Sequence, residues 1–247
     1  MQKILIIQTA FIGDVVLATA LLEKWHRFYP EDQIDFLVRK GNEGLLEGHP
    51  FLNEVLTWNK KENKTKNLFR LLKKIRRTKY DKVINLQRFA ATGILTGFSK
   101  AKERIGFEKN PFSFLFTKKI SHHFKDSLHK VERNNKLIES FTDSAFNKPK
   151  LYPSSKNEAD ILPYSQSPYV CMSPASVWFT KQYPEEKWID LINKMPEGFT
   201  IYLLGSKTDT EICERIKGKA INKNVKILAG KLNFLSSAAL MKSAKMN

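Results

Sequence analysis

The sequence is short of everything that would build a disulfide or metal framework. Only two cysteines, Cys171 and Cys213, occur in 247 residues. That is too few for a disulfide scaffold and fits a reducing compartment. There is no C-x-x-C and no H-E-x-x-H. His122-His123 is an adjacent pair with His129 six residues on. Adjacent side chains diverge, so this reads as a solvated loop, and no metal is expected. Glycine is sparse too, with 11 in the whole chain. Only Gly13 follows the first apolar run, so the G-x-G-x-x-G fingerprint is missing and a dinucleotide-dependent oxidoreductase is disfavoured. Walker and G-x-S-x-G motifs are absent as well. Acids are scarce: 25 Asp+Glu against 42 Lys+Arg, a net charge of +17. Such an excess implies an anionic partner, whether nucleic acid, a membrane surface or a phosphorylated substrate. No long apolar run survives either. The best, residues 1–22, ends in an A-x-A-like Ala18-Thr19-Ala20 but is interrupted by Asp14. A carboxylate in a translocated segment costs several kcal/mol, which argues against a signal peptide or a span.

What is present is a packed α/β chain. Hydrophobic residues make up 42%, near the globular norm. Residues 3–8 (KILIIQ) read as a strand buried on both faces. Residues 9–13 form a turn, and Val15, Leu17, Ala18, Leu21, Leu22 and Trp25 then recur at helical spacing. Asp14 falls in the first turn of that helix. A carboxylate there caps free N–H groups and complements the helix dipole. The same turn follows the carboxyl end of a strand, where open α/β sheets bind ligands. Both readings of Asp14 stand.

The alternation continues. Strands are expected at 33–38, 54–58, 82–86 and 104–107. Helices are expected at 42–47, 65–77, 89–97 and 126–141. Residues 142–167, with Pro149, Pro153 and Pro163, read as a linker with room for one short strand. A second βα array follows, with strands at 169–173, 200–204 and 225–228 and helices at 185–194, 208–217 and 234–244. This gives a Rossmann-like domain at 1–150, which the resemblance described below makes the acceptor side, a linker at 151–167 and a partial domain at 168–247. A doubly wound domain usually has about six strands, so about 80–100 residues of the second are expected to be missing, leaving an edge strand unprotected.

Three constellations bear chemistry. Residues 59–82 hold 11 Lys+Arg and 2 acids. They read as a solvated helix face, with Leu68, Leu71, Leu72 and Ile75 turned inward, or as a footprint for a polyanion. Aromatics there are limited to Phe69 and Tyr80, and nothing offers base readout, so no specific nucleic acid is expected. A basic nucleic-acid-binding protein is the alternative class. The second constellation is the loop from Ser173 to Trp188, with Ser176 and Lys181 able to hold a diphosphate. The third, 204–209, ends in Asp209, a carboxylate placed to accept ribose hydroxyls. Each of these two loops alone reads equally as a capped loop; together, in one half of the chain and in this order, they point to a nucleotide-diphosphate ligand.

These residues resemble glycosyltransferase family 9, the lipopolysaccharide heptosyltransferases. K-I-L-I-I-Q-T-A-F-I-G-D-V-V-L-A-T looks like that family's opening strand and Gly-Asp turn. Asn85-Leu86-Gln87 and Arg104-Ile105-Gly106-Phe107 are similar to its next two steps. Pro174-Ala175-Ser176, Lys181, Pro184 and Trp188 match its P-x-S/T…K-x-W/Y-P…W block, and Gly205-Ser206 with Asp209 its G-S…E/D block. Two features depart from the pattern. Val177 stands where many members carry a second hydroxyl residue, and the D-x-G-x-x-H segment expected next lies past Asn247. The resemblance implies a GT-B fold, two Rossmann-like parallel-sheet domains with the active site between them and the second incomplete. It implies inverting, metal-independent transfer of a heptose or related sugar from an ADP-activated donor, with no cofactor, to an anionic lipopolysaccharide core. Asp14 would be the general base. Ser176, Lys181 and Asp209 would bind the donor. Gly13, Arg88 and Arg104 would meet the acceptor. The protein would be cytoplasmic and peripheral at the inner membrane surface. Without the D-x-G-x-x-H segment this length of chain is expected to be impaired.

Overall fold

The first strand, β1 (Lys3–Ile7), has no polar face, and Ile4 to Ile7 are wholly buried. Such a strand is stable only at the centre of a sheet covered on both sides. That is its place in the computed structural model, which describes residues 1–122 and 128–247. β1 is flanked by β2 (Gln33–Arg39) and β4 (Lys82–Asn85). β3 (Leu52–Trp58), β5 (Glu103–Phe107) and β6 (Lys118–Ile120) complete a parallel sheet of order β3-β2-β1-β4-β5-β6. Ile4 and Ile6 pack to one side with Val15, Ala18, Leu21, Leu22 and Trp25 of α1 (Ile12–Phe28). Leu5 and Ile7 pack to the other with Leu68, Leu71, Leu72 and Ile75 of α2 (Lys64–Thr78). The alternation along β1 thus assigns α1 and α2 to opposite faces. The chain leaves β1 for β2 and β3, then returns to β4 on β1's other side. This reversal leaves a crevice at the carboxyl ends of β1 and β4. α3 (Ala90–Gly97) follows β4, and α4 (Lys130–Asn135) follows β6.

Several expectations need correction. Residues 42–47 contain a single 3-10 turn, Glu43–Leu45, in place of a helix. β6 adds a strand to those expected: three residues with two lysines carry no periodic signal, and short lysine-bearing strands are typical of edges. The helix expected at 126–141 is only Lys130–Asn135, and its expected start lies outside the described residues. Leu137, Ile138 and Phe141 still pack into the core, from turns.

Two compact units divide the chain, Met1–Tyr152 and Pro153–Asn247. The second is built on β7 (Tyr169–Met172), β8 (Thr200–Leu203) and β9 (Val225–Ile227), parallel in the order β7-β8-β9. Its helices are α5 (Ser155–Ile161), α6 (Glu185–Asn193), α7 (Thr210–Lys219) and α8 (Phe234–Ser243). Residues 151–167, expected as a linker with a short strand, instead carry α5. Ser154 caps it, and Asn157 and Asp160 bond Ser236 of α8. Its two buried residues, Asn157 and Ile161, are too few to read as a periodic stripe. Beyond α8 the backbone returns to the sheet. Lys245 N–H donates to the Tyr169 carbonyl at 3.0 Å, and Cys171 N–H to the Met246 carbonyl at 2.9 Å. Both use the edge of β7 turned away from β8. Among the described residues, no helix is long and apolar enough to cross a membrane.

Candidate functional site

The crevice at the ends of β1 and β4 opens into a pocket of about 340 Å³. Asp14 enters it from the first turn of α1, Gln87 and Arg88 from the segment after β4, and His122, Lys130 and Arg133 from beyond β6. Asp14 Oδ2 accepts from the Phe11 N–H at 3.3 Å, closing the helix start. Oδ1 accepts from Lys130 Nζ. The residue is therefore both a cap and a wall of the pocket. Both sequence readings describe it.

Charge in this pocket is one-sided. Among the described residues lining it, Asp14 is the only carboxylate, against Arg88, Lys130 and Arg133. His122, expected in a solvated loop, is instead buried and sits edge-on to Phe107 at 4.7 Å. Burial, with Arg88, Arg133 and Lys109 nearby, holds its pKa below the usual histidine value. His123 lies outside the described residues. A concave surface with several cations and one carboxylate suits an anionic molecule that presents a hydroxyl to that carboxylate.

The frame behind the pocket is made of amides. Gln87 Nε2 donates to Gln8 Oε1, tying the end of β4 to the end of β1. Asn85 Oδ1 accepts from the Gln87 N–H at 2.9 Å. Asn110 Nδ2 donates to the carbonyls of Gln87 and Phe89, both at 3.1 Å, and so fixes the segment that carries Arg88. Asn110 is packed directly on Gly93, where an added Cβ would lie 2.1 Å from Asn110 Oδ1.

The other two expected acceptor residues differ from Arg88. Gly13 is exposed in the first turn of α1, and an added Cβ would meet nothing within 4 Å. Packing does not demand glycine there. Gly13 does not line the Asp14 pocket. Arg104 does not line the pocket. It lies near the amino end of β5, away from the ligand edge of the sheet. Its Nε donates to the Leu115 carbonyl at 2.9 Å and Nη1 to the Ala101 carbonyl at 2.7 Å. Its observed work is to hold the segment between β5 and β6.

A second basic hollow, of about 450 Å³, lies at the ends of β2 and β3, lined by Arg39, Trp58 and Lys60 among others. Lys60 Nζ donates to the Thr9 carbonyl at 2.7 Å and stands 4.7 Å over the Trp58 ring. Burial, then the charges of Arg39 and Lys64, lower its pKa to about 8.

In the second unit, the three expected donor residues lie in loops after β7 and β8. Ser176 Oγ accepts from the Trp178 N–H at 3.2 Å, and its carbonyl accepts from Gln182 Nε2 at 2.8 Å. Lys181 ends a 3-10 turn, Phe179–Lys181, and is exposed. Asp209 Oδ2 accepts from the Ser206 N–H at 2.7 Å and from Ser206 Oγ at 2.6 Å, so this carboxylate also has a capping role. Gly230, at φ +72°, donates its N–H to the Gly205 carbonyl at 2.9 Å, and an added Cβ would lie 2.8 Å from Lys207 Cα. It props the Gly205–Asp209 loop from beneath. Sequence reasoning missed Gly230, Asn110, Lys130 and Arg133. Gly230, Asn110 and Lys130 act through contacts with residues far away in the chain and Arg133 lines the pocket, and no local pattern marks any of them.

Comparison with known proteins bears on this arrangement. The profile of "Glycosyltransferase family 9 (heptosyltransferase)" matches residues 68–246. Lipopolysaccharide heptosyltransferase 1 of Campylobacter coli is 24% identical over 137 residues, covering 56% of this chain and 39% of that protein. Lipopolysaccharide heptosyltransferase 3 of Escherichia coli K12 is 25% identical over 248 residues, covering 94% of this chain and 72% of that protein. The crystal structure of a glycosyl transferase family 9 protein from Veillonella parvula superposes with a TM-score of 0.88 at 19% identity, covering 98% of this chain and 74% of that one. The expected α/β fold with parallel sheets, of GT-B type, is borne out by this likeness.

Proposed function

The chain belongs to glycosyltransferase family 9, the heptosyltransferase family, and from that premise we propose that it transfers a heptose or related sugar from an ADP-activated donor to a lipopolysaccharide core. The observation that carries this reading is the Asp14 pocket, where, among the described residues, one carboxylate faces Arg88, Lys130 and Arg133 at the switch point of the first sheet. An anionic core sugar is held by the cations while its hydroxyl meets Asp14. Asp14 takes the hydroxyl proton as that oxygen attacks the anomeric carbon of the donor. The bond from that carbon to the diphosphate breaks, ADP leaves with the electron pair, and the anomeric configuration inverts.

The second unit supplies donor binding. Lys181 and the Ser176 loop take the diphosphate and stabilise the charge that builds on departing ADP. Asp209 keeps its cap through Oδ2 and accepts a ribose hydroxyl on Oδ1. None of these steps asks for a metal or a cofactor, because the lysine and backbone N–H groups neutralise the leaving group. We place the protein in the cytoplasm at the inner face of the membrane, where the core acceptor is assembled and the basic first unit meets anionic lipid.

Calorimetric titration with ADP and ADP-heptose, on this chain and on Lys181→Ala, tests the reading. Saturable binding that Lys181→Ala abolishes supports it. A folded chain that binds neither nucleotide sinks it for this length of sequence.

A further inference from the structure

The basic stretch at 59–82 is only partly accounted for by the pocket chemistry. α2 carries seven Lys and Arg in fifteen residues and no acid. Its apolar stripe is spent on the sheet, where Leu68, Leu71, Leu72 and Ile75 are buried. Its opposite face points to solvent. Lys74 is paired with Glu54, and Arg76 Nε donates to the Phe98 carbonyl at 2.7 Å. Lys66, Arg70, Lys73 and Arg77 have no ion-pair partner among the described residues. In their midst Phe69 is 60% exposed, beside an open groove of about 520 Å³ that it lines with Lys73, Arg76 and Arg77. Phe98, 43% exposed, lies at the far end of the Arg76 contact.

We propose that this outer face of α2 docks the protein on an anionic lipid surface, with Phe69 entering the headgroup layer and Lys66, Arg70, Lys73 and Arg77 meeting lipid phosphates. The proposal deepens the membrane placement given above and rests on it. Charge complementarity selects the partner. Four cations without internal partners on one helix face match a surface of spread negative charge. An exposed phenylalanine inside a cationic field suits an interface that is charged outside and apolar beneath. A nucleic acid would need a row of stacking aromatics or side chains set for base edges, and this face presents one ring.

Sedimentation of the whole chain with vesicles tests the assignment, using phosphatidylcholine alone and phosphatidylcholine mixed with phosphatidylglycerol. Binding is expected only to the mixed vesicles and is expected to weaken with salt. The double variant Lys73→Gln/Arg77→Gln is expected to bind about 30-fold more weakly, at about fivefold per charge. Lys217→Gln/Lys223→Gln, the same charge change in the second unit, should bind as the parent does. Phe69→Ser should lower affinity and leave the salt dependence unchanged, because it removes no charge. All of these variants lie on exposed positions and should fold. Equal loss in the two double variants, no preference for anionic vesicles, or tighter binding to a DNA duplex than to vesicles at one salt concentration overturns the proposal. Vesicle binding as expected with no sugar transfer leaves the docking face standing and removes the transferase reading. Transfer to a lipid-free acceptor by a chain that ignores vesicles does the reverse.

Discussion

Lys130 donates to Asp14 across 116 residues of sequence, so the first turn of α1 and the first residue of α4 meet over the pocket. The pair is partly exposed, and its net contribution to stability is small. Its value lies in orientation. Lys130 and the Phe11 N–H each hold one oxygen, so the carboxylate is fixed at the pocket wall.

From this geometry, Asp14→Asn should keep the fold, since an amide oxygen can still accept from Phe11. It should slow sugar transfer by about 10²- to 10⁴-fold, the range for a lost general base, with ADP affinity unchanged. Lys130→Gln should act differently. It should raise KM for the acceptor about tenfold, the worth of one charged hydrogen bond, with a smaller effect on kcat. Steady-state kinetics on both variants separates the roles. If both lower kcat alone, Lys130 is not an acceptor contact.

The Asn110–Gly93 contact predicts a second pair of effects. Asn110→Ala strips hydrogen bonds from the Gln87 and Phe89 carbonyls and should cost about 1–3 kcal/mol. Gly93→Ala forces a methyl group into Asn110 and should cost a similar amount. Because both act by displacing one side chain, the double variant should lose clearly less than the sum. Urea midpoints of the three variants would show it. Strict additivity would mean that the two residues act independently.

These two contacts also show what was legible in the sequence. β1 and its Gly-Asp turn could be read because their signals are local: an unbroken apolar run, then helical spacing from Val15 onward. The same holds for β7, β8, β9 and the loops carrying Ser176, Lys181 and Asp209. The cations that line the pocket with Asp14 could not be read. Lys130 and Arg133 are two basic residues in a basic chain, and only tertiary folding selects them. Arg104 is the converse case. Its motif is matched, but its position near the amino end of β5 turns it to structural carbonyls. A strand motif alone does not say which end of the strand a side chain serves.

His49 should set the acid limit of the first unit. It is buried, with Nδ1 accepting from the Phe51 N–H at 3.3 Å and its ring edge-on to Tyr152 at 4.8 Å. Burial first, then the charges of His26 and Lys150, lower its pKa to about 4. In the unfolded chain the value is near 6.5, so between those two pH values the unfolded state binds more protons. Stability is therefore expected to fall as pH drops from 6.5 through 4, by about 3 kcal/mol. His49→Asn keeps an acceptor near Phe51 and removes the titration. Its urea midpoint, relative to the parent, should improve across this window. Parallel pH profiles would rule the histidine out.

Lys60 provides the corresponding alkaline test. Its pKa of about 8 lies well below the usual lysine value, with burial against Trp58 and Thr9 the main cause. Native Lys60 should lose its proton near pH 8, whereas in the unfolded chain it does so near the ordinary 10.5. The unfolded state binds more protons across that interval, so this residue's contribution to stability rises with pH there. The neutral amine is the nucleophile toward acylating reagents. Brief acetic anhydride pulses at rising pH, read by peptide mass spectrometry, should show Lys60 reaching its limiting rate soon after pH 8. A free lysine peptide in the same solution, with the ordinary lysine value, should still be gaining. Trp58→Ala opens the hollow to water and should move the Lys60 midpoint upward toward that ordinary value. Arg39→Met should move it upward by less, because burial is the larger cause. If Lys60 follows the peptide in the parent protein, burial does not set its charge, and Lys60 keeps the hollow at the ends of β2 and β3 cationic through the alkaline range.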